Sequence, residues 1–125
     1  MESINQFSRQ KYMNLETFRK SGVGVKTPVW FVQVEDVFYV TTFPGSGKVK
    51  RIRREGRVNI APCSANGTLK GEWVPAFALM VDDELERQEV GRLMDKKYGL
   101  LKKLLDIKQS RNGLENAVLK IKIFQ

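Results

Sequence analysis

The chain is 125 residues long, 42% hydrophobic and carries a formal charge of +8, which suits one domain spanning 1–125 better than two. It has no histidine and a single cysteine, Cys63, so a zinc site, histidine-based catalysis and an intrachain disulfide are all excluded. The N-terminal residues form no apolar leader and no run approaches membrane-spanning length, so a cytoplasmic protein with no membrane partner is expected.

Residues 4–11 read as a short helix leading into a strand over 12–19. Alternation sets Met13, Leu15 and Thr17 on one face of that strand and Tyr12, Glu16 and Phe18 on the other. Gly22 and Gly24 turn the chain into a second strand over 26–34. Pro28 has no N–H to give a ladder, so it belongs at an edge or a bulge, with the far side of the backbone free. Glu35-Asp36 forms a tight turn into a third strand, 37–42, rich in β-branched and aromatic residues, and the second and third strands should form a hairpin.

Next comes Pro44-Gly45-Ser46-Gly47-Lys48, followed at once by Val49-Lys50-Arg51-Ile52-Arg53-Arg54. Small residues ahead of a basic helix make an anion-seeking element. The first amides have no intrahelical partner, the helix dipole favours negative charge there, and Lys48 and Arg51 share a face. A nucleotide P-loop is excluded, because Thr42 stands in place of its first glycine and Val49 in place of its magnesium-binding hydroxyl. Ser46 is the expected N-cap and Gly56 the expected C-cap.

Residues 57–64 read as a fourth strand and 72–81 as a fifth. Asn66-Gly67, or a slightly longer loop around it, reverses the chain between them, a stronger signal than the glycosylation acceptor it forms with Thr68. Asp82-Asp83-Glu84 opens a helix expected to reach about Lys97. Leu93, Met94, Leu100, Leu101, Leu104 and Leu105 continue an apolar face through a break at Tyr98-Gly99, with Lys96, Lys97, Lys102 and Lys103 opposite. Residues 118–124 alternate strictly and form the last strand. Six or more strands joined mostly as hairpins predict a mainly β fold, an antiparallel barrel with helices over its openings, and there is no βαβ rhythm.

Lys11-Tyr12, Thr27-Pro28-Val29-Trp30-Phe31, Ser46-Gly47-Lys48-Val49-Lys50-Arg51-Ile52-Arg53, Arg57-Val58, Ala61-Pro62-Cys63, Gly71 and Lys97-Tyr98-Gly99 together resemble the FMN-binding split barrels related to pyridoxamine 5'-phosphate oxidase. They are most similar to the small branch described as dependent on FMN or deazaflavin coenzyme F-420, over roughly residues 11–99. The resemblance implies a homodimer of split barrels with a cofactor site at the interface and a small organic substrate reacting by hydride transfer. It further implies that Lys26, Thr27, Pro28, Val29 and Trp30 lie along the ring. Thr41 and Thr42 would line the ribityl chain, and Ser46, Gly47 and Lys48, helped by Arg51, would hold the phosphate.

Two departures argue against pyridoxine phosphate oxidation itself. The C-terminal extension that helps hold the vitamin in that enzyme does not follow, and Phe31 stands where it tends to carry a lysine.

No catalytic acid or base stands out. Tyr39, Tyr98 and Lys26 are the titratable groups nearest the expected ring, and each also suits a structural role. Trp30 serves equally as a ring wall or as barrel packing, while Trp73 suits core or a subunit contact. Cys63 is expected to be buried and inert, and Lys50, Arg53 and Arg54 to form a solvated face. Lys102 and Lys103 suit the surface, or the acidic tail of a polyglutamylated deazaflavin. Two other classes stay open: a flavin-binding carrier or sensor without turnover, and a basic small barrel that binds single-stranded nucleic acid. The second is disfavoured because the positive charge is concentrated in one helix.

Overall fold

In a computed structural model, which describes residues 2–110 and 116–124 and the side chains of 4–99 and 116–124, the strands form one antiparallel sheet. The strands are β1 (Tyr12–Phe18), β2 (Gly24–Val29), β3 (Val32–Val34), β4 (Val37–Thr42), β5 (Arg57–Cys63), β6 (Val74–Met80) and β7 (Ala117–Ile123). Three helices, α1 (Glu2–Asn5), α2 (Gly47–Arg54) and α3 (Glu84–Ser110), interrupt them. The strand order is β2-β1-β5-β6-β7-β4-β3, so the sheet's two edge strands are consecutive in sequence.

That order corrects the expected second strand. Residues 26–34 are not one strand: β2 pairs with β1 and β3 pairs with β4, and only Trp30 and Phe31 separate them. A sheet whose edges are joined by so short a link has to curl until they meet, which makes a barrel that is split at the link. The break has a local cause. The Phe31 backbone is satisfied by the Tyr98 side chain instead of by a ladder, as every buried amide must be by some partner. The expected hairpin survives as β3–β4, with Glu35 at φ 57° in its turn. Pro28 does lie on an edge strand, β2, opposite Asn14 of β1.

The interior is built from the alternating residues of β1 and the inward rows of the other strands. Met13, Leu15, Phe38, Val40, Ile60, Leu119 and Ile121 are wholly buried there. Phe7 plugs one end, edge-on to Phe31 and Phe38. A second cluster, with Val32, Tyr39, Val90, Met94 and Tyr98, seats α3 against β3 and β4.

Other boundaries move for identifiable reasons. The first helix covers Glu2–Asn5 instead of 4–11 and passes into turns in which Arg9 has φ 65°. The fifth strand begins at Val74 and not at Glu72, because the Gln6 side chain occupies both Glu72 backbone groups, at 2.8 and 2.9 Å. Glu55, and not Gly56, caps the C-terminus of α2. Gly56 is small for another reason: a β-carbon there would lie 2.6 Å from the Phe77 ring. Helix α3 runs past Lys97 to Ser110 with a break at Gly99. The leucine and lysine side chains expected at 100–105 lie outside the described residues.

Candidate functional site

The anion-seeking segment folds as its residues dictate. Ser46 sits in extended conformation ahead of α2 and its hydroxyl accepts from the Val49 amide at 3.4 Å, which caps the helix. Arg51 lies one turn along and turns back toward β1, where its Nε donates to Thr17 Oγ1 at 2.6 Å. Arg54 donates to the Phe18 carbonyl from the next turn. The cations therefore converge. Burial lowers the Lys48 pKa, with the Arg51 charge adding to the effect; burial also lowers that of Arg51, followed by the charges of Arg19 and Arg54. No ion pair among the described residues engages Arg19, Lys48, Arg51 or Arg54. Ser46, Gly47, Lys48 and Arg51 are thus brought together at a capped helix start with uncompensated positive charge.

The register of β2 divides its residues between two faces. Val25, Thr27 and Val29 oppose Thr17, Leu15 and Met13 and share their inward face, whereas Lys26 and Pro28 oppose Glu16 and Asn14 on the outer one. Only the outer pair, with the backbone between, can offer side chains to a ligand lying outside the barrel. Lys26 Nζ already stands 5.3 Å from the centre of the Trp73 ring, so Trp73 belongs to this face although it was not among the expected site residues. Trp30 stacks on Tyr98, with ring centres 4.3 Å apart and planes 7° from parallel. It is therefore packed on one side and half-buried.

Thr41 and Thr42 end β4, paired on one side with Val118 and Ala117 of β7. On the other side, β3 pairs with β4 only as far as Val32–Tyr39. The same register continued would set Trp30 against Thr41 and Val29 against Thr42, but there the chain has left for β1. The split therefore has two backbone edges, β2 on one side and the end of β4 on the other, with no strand between them among the described residues. The clamp adjoins the β2 side, because Thr17, which holds Arg51, is the register partner of Val25.

Of the three titratable groups expected near the ring, all are engaged. Tyr39 donates to Glu86 Oε2 at 2.7 Å, and Lys120 pairs with the same carboxylate at 3.1 Å. Tyr98 bridges backbone groups, and Lys26 rests over Trp73. Lys97 was expected only as the first residue of the Lys97-Tyr98-Gly99 motif and as part of the polar face of its helix. Its amine donates to the Phe31 carbonyl at 2.8 Å and lies 3.6 Å from the Phe31 ring centre, and burial lowers its pKa to about 8 although much of its stem is exposed. Cys63 is buried, which raises its thiol pKa, as expected of an inert cysteine. No cluster of metal-ligating side chains occurs among the described residues, and no described helix is long and apolar enough to cross a membrane.

By sequence, no family model and no curated protein matches the chain. Solved structures do match it along almost all of its length. A protein from Listeria innocua provisionally assigned as a pyridoxamine 5'-phosphate oxidase aligns with a TM-score of 0.71 at 13% identity, over 99% of this chain and 92% of its own. A reductase dependent on reduced coenzyme F-420 aligns at 0.67 and 14%, over 90% and 94%. The heme storage protein HutZ of Vibrio cholerae aligns at 0.70 and 19%, over 94% and 84%. What these proteins share with the chain is the curled antiparallel sheet and its flanking helices, so the chain has the split-barrel fold of the pyridoxamine 5'-phosphate oxidase-like and F-420 reductase proteins.

Proposed function

We propose that the chain is a flavin- or deazaflavin-dependent oxidoreductase of this split-barrel family, a homodimer that moves hydride between FMN or coenzyme F-420 and a small organic substrate. One observation carries the reading: Lys48 and Arg51 gather without a carboxylate at a capped helix start, and Arg51 is tied to Thr17 of β1, the strand paired with the β2 edge of the split. The residues fit a flat ring with an anionic tail. Ser46, Gly47, Lys48 and Arg51 would hold the phosphate and Thr41 and Thr42 the polyol chain. The outer side chains Lys26 and Pro28, the backbone of Thr27 and Val29, and the Trp30 indole would border the ring. When bound, the ring supplies the hydride chemistry, while the protein supplies position and charge.

Titration of the purified protein with FMN and with coenzyme F-420, side by side, tests this. Saturable binding of at least one, with a shifted absorption band, is expected. Failure to bind either at micromolar concentration, together with salt-sensitive retention on single-stranded nucleic acid, would replace this reading with the nucleic-acid one. A carrier or sensor without turnover is the second reading, favoured by the engagement of Tyr39, Tyr98 and Lys26 in other contacts. Reduced cofactor that binds but is not oxidised by any of a panel of enones, quinones and nitroaromatics would select it.

A further inference from the structure

Thr17 is an anomaly in its row. It points inward beside Met13 and Leu15 and is 0% exposed, yet it carries a hydroxyl. A buried hydroxyl without a partner costs stability, and the partner here is the Nε of Arg51 at 2.6 Å. Using Nε internally has a geometric result. It fixes the guanidinium plane and leaves the terminal nitrogens as a fork for something else. That fork lies over the first turn of α2: a β-carbon built on Gly47 would stand 2.7 Å from Arg51 Nη1 and 3.3 Å from Cζ.

We propose that Thr17 is the positioning residue of the anion clamp, aiming the Arg51 fork across the first turn of α2 beside Lys48, and that Gly47 is the opening through which that fork passes. The inference rests on the cofactor reading and deepens it, because it assigns the orientation of the phosphate ligand to a residue of the barrel interior. It also ties the two ends of the site together. Thr17 is the register partner of Val25, and Trp30 lies roughly 16 Å farther along at the usual strand rise. The anchor of the tail and the wall of the ring are thus set by one strand pair.

Four variants test it: Thr17→Val, which keeps the shape without the hydroxyl; Thr17→Ser, which keeps the hydroxyl; Gly47→Ala, which fills the opening; and Arg51→Lys, which keeps the charge without the fork. In titrations with FMN and with coenzyme F-420, Thr17→Val and Gly47→Ala should each weaken binding roughly tenfold, the size of one charge-assisted hydrogen bond, and Thr17→Ser should not. In an Arg51→Lys background, neither should weaken it further. The absorption band of the bound ring should stay unchanged, since only the tail is released. Wild-type affinity in Thr17→Val, or an equal loss in the Arg51→Lys background, overturns the proposal.

A measurement without cofactor separates this from the reading it rests on. Nitrogen-15 NMR of the free protein should show a slowly exchanging Arg51 Nε proton that Thr17→Val abolishes and Lys48→Glu retains. If the wild type binds neither cofactor, the cofactor reading falls. Titration with inorganic phosphate then decides the positioning: a phosphate-induced shift of that signal in wild type but not in Gly47→Ala sustains it, and no shift in either overturns it. If Thr17→Val fails to fold, Gly47→Ala decides alone, because alanine at that exposed first helical position favours the helix.

Discussion

The Tyr98 hydroxyl lies 2.9 Å from the Phe31 amide nitrogen and 2.8 Å from the Phe31 carbonyl oxygen, so one side chain of α3 serves both backbone groups at the point where the chain changes sheet edges. It accepts from the amide and directs its proton to the Phe31 or Lys11 carbonyl, also at 2.8 Å. Burial raises its pKa, so the phenol stays neutral and keeps donating. Tyr98→Phe would retain the stack on Trp30 but leave the Phe31 amide buried without a partner, which costs about 1–3 kcal/mol. Urea unfolding should show that loss with the m-value unchanged. A midpoint equal to wild type would mean that the hydroxyl does not hold the split.

Lys97 gives the same joint a pH dependence. Its amine has a pKa of about 8 in the fold and 10.5 when unperturbed, lowered by burial. Between those values the unfolded chain holds a proton that the folded one has released. Stability from this group therefore climbs as pH rises from about 8 to 10.5, and the burial penalty is fully present below that window. Lys97→Met removes the titration. The stability of the variant relative to wild type should fall across the window, read from melting temperatures at fixed ionic strength. A constant difference would show that the amine is solvated.

Much of the fold was legible because alternation is local. The inward row Met13, Leu15 and Thr17, the edge position of Pro28 and the β3–β4 turn each follow from a few neighbouring residues. The break at Trp30-Phe31 was not legible, because 26–34 is continuously strand-like and what breaks it is a tyrosine 67 positions away. The site divides in the same way. The cap at Ser46 and the cations Lys48 and Arg51 follow from their spacing in α2, whereas the Lys26–Trp73 contact and the Lys97 amine beneath Phe31 depend on tertiary approach. Thr17 did carry a signal, as a polar residue on an apolar row.

Gly99 breaks α3 directly after Tyr98, with φ 53° and ψ −128°. That combination lies outside the left-handed helical well and is open to glycine almost alone. Among the described residues, nothing besides the chain neighbours and the helix's own backbone lies within 4 Å of a β-carbon placed there, so the expected effect of Gly99→Ala is backbone strain. The expected cost is about 1–3 kcal/mol. A straightened helix is the other way to relieve that strain, and it would draw Tyr98 from Phe31. Loss of the Trp30–Tyr98 stack in tryptophan fluorescence would distinguish that route, and wild-type stability with wild-type fluorescence would refute both.

Lys48→Glu separates folding from binding at the clamp. In the free protein Lys48 is partly buried, and that burial, followed by the Arg51 charge, lowers its pKa, so a cation is disfavoured at this position. A glutamate at this position, second in α2, meets the positive end of the helix dipole and the Arg51 guanidinium. Folding should be unchanged or slightly stabilised. Binding of a phosphate-tailed cofactor should suffer twice, by loss of a cation and by gain of a repelling carboxylate, for a weakening on the order of a hundredfold. Salt should also act in opposite directions, weakening wild-type binding by screening attraction and easing repulsion in the variant. A variant that melts at or above the wild-type temperature yet no longer binds would place Lys48 in the ligand site. One that binds as wild type would leave Lys48 on the solvated face of α2 with Lys50 and Arg53.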